Sequence, residues 1–245
     1  MSRAKKIAIG AAAAIVLIVA AALFYLFVIR EDAPPELELG ETRSTEAGDD
    51  ATTTAAPAST AGPDTTITPA EGIDGAWTID PLSVAGYRVV EDFRGIPDFE
   101  AVGRTTTPIV GSLTIDGTTI TEATFEVDVA GIESPESLRD GQFRDVMATD
   151  EFPTATFVLT TPIDLGSTPD DAVPVVVSAT GDLTLKGTTL AVTFDITAQL
   201  NGNKIETLSQ IPVVFSEYGI DTPSAPGITV EDNGLLEASI IFERP

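Results

Sequence analysis

The chain has 245 residues, with no cysteine and no histidine, which excludes disulfides, thiolate catalysis, a cysteine-linked lipid anchor, the usual zinc ligand and the usual base of a serine triad. All 38 acidic residues lie after Arg30 and are opposed there by nine basic ones, a balance that repels nucleic-acid phosphates and anionic head groups. Nucleic-acid binding is thereby excluded, and no cofactor motif is present.

Residues 1–6 carry Arg3, Lys5 and Lys6 and read as a cytoplasmic tail. Residues 7–29 form an uncharged stretch of 23 residues rich in Ala, Ile, Leu and Val. As a helix it would span about 35 Å, enough for a bilayer core of about 30 Å. Phe24, Tyr25 and Phe27 sit near its outer end, where aromatic rings favour the interface, and Glu31 and Asp32 follow it. Basic residues before and acidic ones after predict a single-pass membrane helix with a cytoplasmic N-terminus and the rest of the chain outside the cytoplasm. A cleaved signal peptide is the alternative, but its apolar region is usually about 7–15 residues before a small-residue site, which 26–32 lacks.

Residues 30–72 are dominated by Thr, Ala, Pro, Glu and Asp and predict an acidic, disordered linker, because they hold too little apolar surface to offset the entropy of ordering. Residues 73–245 predict a single all-β domain. Leu113 and Ile115 alternate with polar neighbours, as do Phe125, Val127 and Val129, then Val192, Phe194 and Ile196, then Ile211, Val213 and Phe215. Asp116-Gly117 and Asn201-Gly202 predict hairpin turns, and Asn233-Gly234 a turn before a last strand with Leu236, Ala238, Ile240 and Phe242. One short helix interrupts the strands, with Ser134 as N-cap, Pro135 and Glu136 in its first turn, an apolar side of Leu138, Phe143, Val146 and Met147, and a stop at Phe152-Pro153. Consecutive hairpins of this kind predict an antiparallel barrel or sandwich.

Two blocks are distinctive: Arg139-Asp-Gly-Gln-Phe-Arg-Asp-Val-Met147 with Phe152-Pro153, and Gly181-Asp-Leu-Thr-Leu-Lys-Gly-Thr-Thr189 with its turn at Lys186-Gly187. With Trp77-Thr-Ile-Asp80 before Ser83, Val102-Gly-Arg104, Val110-Gly111, Ile132-Glu133 and Tyr218-Gly219-Ile220, they resemble the YceI family over about residues 76–245. The resemblance implies a lipocalin-like antiparallel barrel of about eight strands with one short helix, holding a long isoprenoid lipid or quinone and carrying out no catalysis. It makes Phe125, Val127, Phe143, Met147, Phe157, Phe194 and Phe215 the candidates to line a lipid tunnel, whereas the pattern alone favours their filling a small barrel.

Arg139, Asp140 and Arg144 have two readings: a head-group contact at the barrel mouth, or ion pairs tying the helix to the wall. The chain departs from the family at Leu82 and Gln142, where histidines are usual, and at Glu217, near an often basic position. If those groups contact a head group, this chain recognises a different one. The expected function is a membrane-anchored binding protein for an isoprenoid or similar amphiphilic lipid; the alternative is a cell-envelope interaction domain with a filled barrel. A constellation of Asp140, Asp145 and Asp150 is the only enzymatic reading, and its spacing matches no EF-hand loop.

Overall fold

A computed structural model describes residues 33–43, 72–93, 96–222, 224–225 and 228–245. The expected cytoplasmic tail, the membrane helix 7–29 and most of the expected linker lie outside the described residues, and no helix among those described is long and apolar enough to cross a membrane.

The strands in chain order are β1 (Gly75–Ile79), β2 (Val84–Phe93), β3 (Ile96–Thr105), β4 (Val110–Asp116), β5 (Thr119–Asp128), β6 (Ile132–Glu133), β7 (Thr154–Leu159), β8 (Ile163–Asp164), β9 (Val175–Leu185), β10 (Thr188–Asn201), β11 (Lys204–Val214), β12 (Ser224–Ala225) and β13 (Ile228–Glu243). Helix α1 (Ser137–Met147) separates β6 from β7, and a 3-10 turn (Phe215–Tyr218) follows β11. The antiparallel order β1-β4-β5-β7-β9-β10-β11-β13 returns to β1 through Thr78 opposite Glu243 and Ile79 opposite Phe242, which closes a barrel of eight strands. Closure leaves the circuit no free edge.

β13 is long enough to serve two strands on one edge. β1 covers its C-terminal end, and β2 continues along it from Val84 opposite Ser239 to Phe93 opposite Ile228, with β3 and β6 extending the sheet beyond β2. The break between β1 and β2 is a tight corner held by Asp80. Its Oδ1 accepts from the Leu82 N–H at 2.8 Å, its backbone carbonyl from the Ser83 N–H, and its Oδ2 from Lys204 Nζ at 2.7 Å. Lys204 holds the Asp80 carboxyl below the usual carboxylate range, with the Leu82 N–H adding to the effect.

The turns follow the local chemistry. Gly117, Gly187 and Gly202 all have positive φ, and at the β9–β10 hairpin Lys186 joins Gly187 in the left-handed region, the twist that two-residue hairpins favour. Asn233-Gly234 is different. It lies inside β13 at a register shift between Val230 and Gly234 and makes no hairpin. The bulge aims Asp232 at the 3-10 turn, where its carboxylate accepts from the Ser216 N–H at 2.8 Å and from Ser216 Oγ at 2.6 Å. Asn-Gly suits a bulge as well as a turn, so composition alone does not separate the two.

Helix α1 starts two residues later than Ser134 suggests. Glu136 is the N-cap and offers no side-chain cap. Ser134 instead sits in the preceding loop, where its N–H and Oγ both donate to Asp140 Oδ1, at 2.9 and 2.7 Å. The apolar side of α1 is narrower than expected. Phe143, Val146 and Met147 pack inward, while Leu138 is 81% exposed.

Residues 35–43, inside the stretch expected to be linker, pack on the outer wall of the barrel. Leu37 is buried, Glu36 accepts from Gln210, the Pro35 carbonyl from Arg104 and the Glu41 carbonyl from Ser239. Arg43 then binds the corner, its N–H donating to the Leu82 carbonyl at 2.7 Å and its guanidinium to the carbonyls of Pro81 and Thr106. This strap covers a charged layer. Glu237, fully buried, receives Arg88 Nε at 2.9 Å and Arg104 NH1 at 2.6 Å, and Arg88 also reaches Glu100 at 2.6 Å. One buried apolar residue, Leu37, with Glu36, Arg43 and a few backbone carbonyls, holds the strap, and mean composition does not register them.

Candidate functional site: an apolar cavity within the barrel

Inward-facing positions on β5, β9, β10, β11 and β13 are mostly apolar, and they do not fill the space between them. The barrel holds a cavity of about 440 Å³, within the range typical of small-molecule sites. All seven aromatic and aliphatic candidates from the sequence, Phe125, Val127, Phe143, Met147, Phe157, Phe194 and Phe215, line it. So does Ile211, which alternation in β11 marked, together with residues the sequence did not single out, including Tyr87, Ile109, Leu183 and Leu185. Alternation in β9 would have found the last two. Tyr87 lacked any such signal because β2 was not delineated.

The wall near α1 is aromatic and polar together. Tyr87 is buried and stacks on Phe143 with ring centroids 4.8 Å apart and planes 15° from parallel. Burial pushes the Tyr87 phenol up to about 12, so it is a neutral hydroxyl at any physiological pH. Arg139 also lines the cavity, and its Nε lies 3.1 Å from Glu91 Oε1 on β2. Gln142, at a surface position on the same helix, lines the cavity beside them.

The expected trio of charged residues separates. Arg139 pairs with Glu91, Asp140 is buried against Ser134, and Arg144 does not line the cavity. Tying the helix to the wall is what the Arg139–Glu91 pair does, with a partner 48 positions upstream that helical spacing does not reveal. Asp140, Asp145 and Asp150 do not line the cavity either; the first is buried, and the other two are exposed. Among the departures from the family pattern, Leu82 is exposed at the β1–β2 corner and Glu217 is exposed on the 3-10 turn, so only Gln142 lines the cavity.

The two distinctive sequence blocks meet in space. The Phe152 ring lies under Gly187, where an added Cβ would come within 2.5 Å of it, and Lys186 Nζ donates to the Gly219 carbonyl at 2.9 Å. The positive φ at Gly187 favours glycine, and the ring beneath leaves no room for a side chain. These contacts bind the segment after α1, the β9–β10 hairpin and the 3-10 turn into one end of the barrel. Tyr218, on that turn, is buried and its hydroxyl has no hydrogen-bond partner among the described residues; burial raises its pKa.

Deeper in, the interior is crossed by aromatic rings. Phe125 and Phe157 have centroids 6.0 Å apart, Phe157 meets Phe194 edge-on at 5.3 Å, and Phe125 reaches Phe242 at 5.9 Å. Gly181 makes this possible, since a Cβ there would lie 2.4 Å from the Phe157 ring. Below the rings is a second cavity of about 80 Å³.

Comparison with known proteins agrees with this geometry. No curated protein matches the chain. Among solved structures, a polyisoprenoid binding domain from Saccharophagus degradans, implicated in plant cell wall breakdown, superposes with a TM-score of 0.54 at 16% identity, covering 69% of this chain and 98% of that one. BcnA of Burkholderia cenocepacia superposes with a TM-score of 0.49 at 20% identity, covering 64% and 95%. The family model for the YceI-like domain matches residues 77–242, from the buried Trp77 of β1 to the end of β13, and the chain therefore belongs to the YceI-like family.

Proposed function

We propose that this chain is a membrane-anchored, extracytoplasmic binding protein that holds a long-chain isoprenoid or a similar amphiphilic lipid inside its barrel. The cavity of about 440 Å³, lined mostly by apolar side chains, carries the reading. Each methylene buried there contributes about 0.8 kcal/mol before the costs of binding. A similar fold described as a polyisoprenoid binding domain supports the ligand class. The hollow interior also speaks against a purely structural barrel, which would be filled by its own side chains.

The apolar run 7–29, flanked by bases before and acids after, supports the anchor and its orientation. Arg139 is the one cation among the described residues lining the cavity, and its charge is answered by Glu91. Tyr87 is neutral and Gln142 uncharged, so the polar groups at this end favour an uncharged head group such as an alcohol or a quinone over a phosphate. No step of this activity requires a catalytic group.

The test is native mass spectrometry on the full chain released from a bacterial membrane, followed by organic extraction. One isoprenoid-sized mass per chain supports the proposal. A chain that arrives empty and stays empty after incubation with polyprenols and quinones refutes it.

A further inference from the structure

The interior of the barrel is two chambers. The larger, near α1, and the smaller, near the β1–β4 end, share exactly one layer of lining residues: Phe125 from β5, Phe157 from β7, Ile196 from β10 and Thr207 from β11. Those strands lie on one arc of the closed circuit, and the two rings, register partners on adjacent β5 and β7, stand side by side with centroids 6.0 Å apart. The layer is braced from both sides. Phe194 meets the Phe157 ring edge-on from the upper chamber, and Phe242, which lines the lower one, contacts Phe125. Gly181, on β9 beside β7, supplies the space the Phe157 ring occupies. Neither ring is therefore a freely swinging gate.

We propose that this aromatic layer is the floor of the binding site and sets the greatest length of apolar chain the protein accepts. The inference rests on the lipid-binding reading above and adds a specificity determinant to it. A chain entering the upper chamber runs along its apolar wall until its tail meets the Phe125 and Phe157 rings. The lower chamber of about 80 Å³ lies beyond reach while the rings are in place. At roughly 10–15 Å³ per water-sized probe, that space holds about six water-sized groups, on the order of one five-carbon isoprene unit. Removing a ring joins the chambers, so the accepted chain grows by at least one such unit. The lower chamber is apolar, lined by residues such as Leu113, Ile115 and Ile205, so the added segment gains burial without stranding a polar group.

The experiment offers the detergent-solubilised full chain an equimolar ladder of polyprenols differing by single isoprene units, and reads the bound distribution by mass spectrometry after gel filtration and extraction. Wild type is expected to take a distribution with a sharp upper limit. Phe157→Ala should move that limit up by one or two units, and adding Ala198→Phe, which refills the lower chamber, should move it back. Should Phe157→Ala fail to fold, Phe157→Leu carries the same test with less disruption, and so does Phe125→Leu. A variant that binds polyprenols with an unchanged upper limit overturns the floor while leaving lipid binding intact. Wild type that binds no polyprenol at all overturns the lipid-binding reading itself, a distinct result.

Discussion

Replacing Glu237 by Gln keeps the shape of the side chain and removes one buried charge. The Glu237 side chain is wholly buried, and its two oxygens receive Arg88 Nε at 2.9 Å and Arg104 NH1 at 2.6 Å. Burial alone would pull the Arg88 pKa down; the hydrogen bond and charge of Glu237, helped by Glu100, leave it raised instead. In the variant Arg88 loses the charge of Glu237 and retains its pair with Glu100, whose side chain is half exposed, and Arg104 retains the Pro35 carbonyl of the strap. Breaking a buried ion pair by removing one partner costs about 3–5 kcal/mol. For a domain of this size that corresponds to a fall in Tm of about 10 °C. Trp77 is the chain's single tryptophan and is buried, so its fluorescence reports the transition, with circular dichroism as the second probe. A loss under about 1 kcal/mol would show that water screens this layer, and that the strap does not seal it.

Tyr218→Phe removes a buried hydroxyl without a partner among the described residues and is expected to leave stability unchanged or raise it by about 1 kcal/mol in the same unfolding assay. Gly181→Ala places a Cβ 2.4 Å from both the Phe157 ring and the Val158 carbonyl, so it should cost about 1–3 kcal/mol, and an unfolding curve matching wild type would contradict that packing. Asp80 has a folded pKa below its ordinary 3.8, so its contribution is complete above that value and is lost as pH falls toward the folded pKa. The stability difference between wild type and Asp80→Asn should therefore shrink on acidification below about pH 4; a difference that stays constant there would refute the Asp80–Lys204 linkage. In competition at equal chain length, a polyprenol is expected to displace a polyprenyl phosphate, and the reverse order would show that Arg139 is available to an anion despite Glu91.

Much of the barrel was legible because its signals are local. Period-two alternation in β4, β5, β10 and β11, with Gly117 and Gly202 at their turns, needs no knowledge of distant residues. The same alternation named Phe125, Phe194 and Phe215, the family resemblance added Phe157, and all four line the cavity. What stayed illegible depends on partners far along the chain. Glu91 meets Arg139 across 48 positions, and Glu237 meets Arg88 across 149. Asn233-Gly234 reads as a turn because its bulge is set by β2 and by the 3-10 turn, neither of which is written into the dipeptide. The strap at 35–43 is held by one leucine, the side chains of Glu36 and Arg43 and a set of carbonyls, so average polarity points the wrong way there. Whether the barrel is hollow depends on how inward side chains from eight strands sum in volume, a property no single strand carries.

The central claim is that the lipid sits in the cavity, and an anchor helix can itself carry bilayer lipid through purification. The most direct measurement is therefore the isoprenoid content per chain of full-length wild type beside an Ala155→Phe, Ala238→Phe variant, whose two added rings occupy the larger chamber. The account predicts about one isoprenoid per wild-type chain and almost none in the filled variant, with the same far-ultraviolet circular dichroism in both. Equal isoprenoid in both proteins, or none in either, would contradict it.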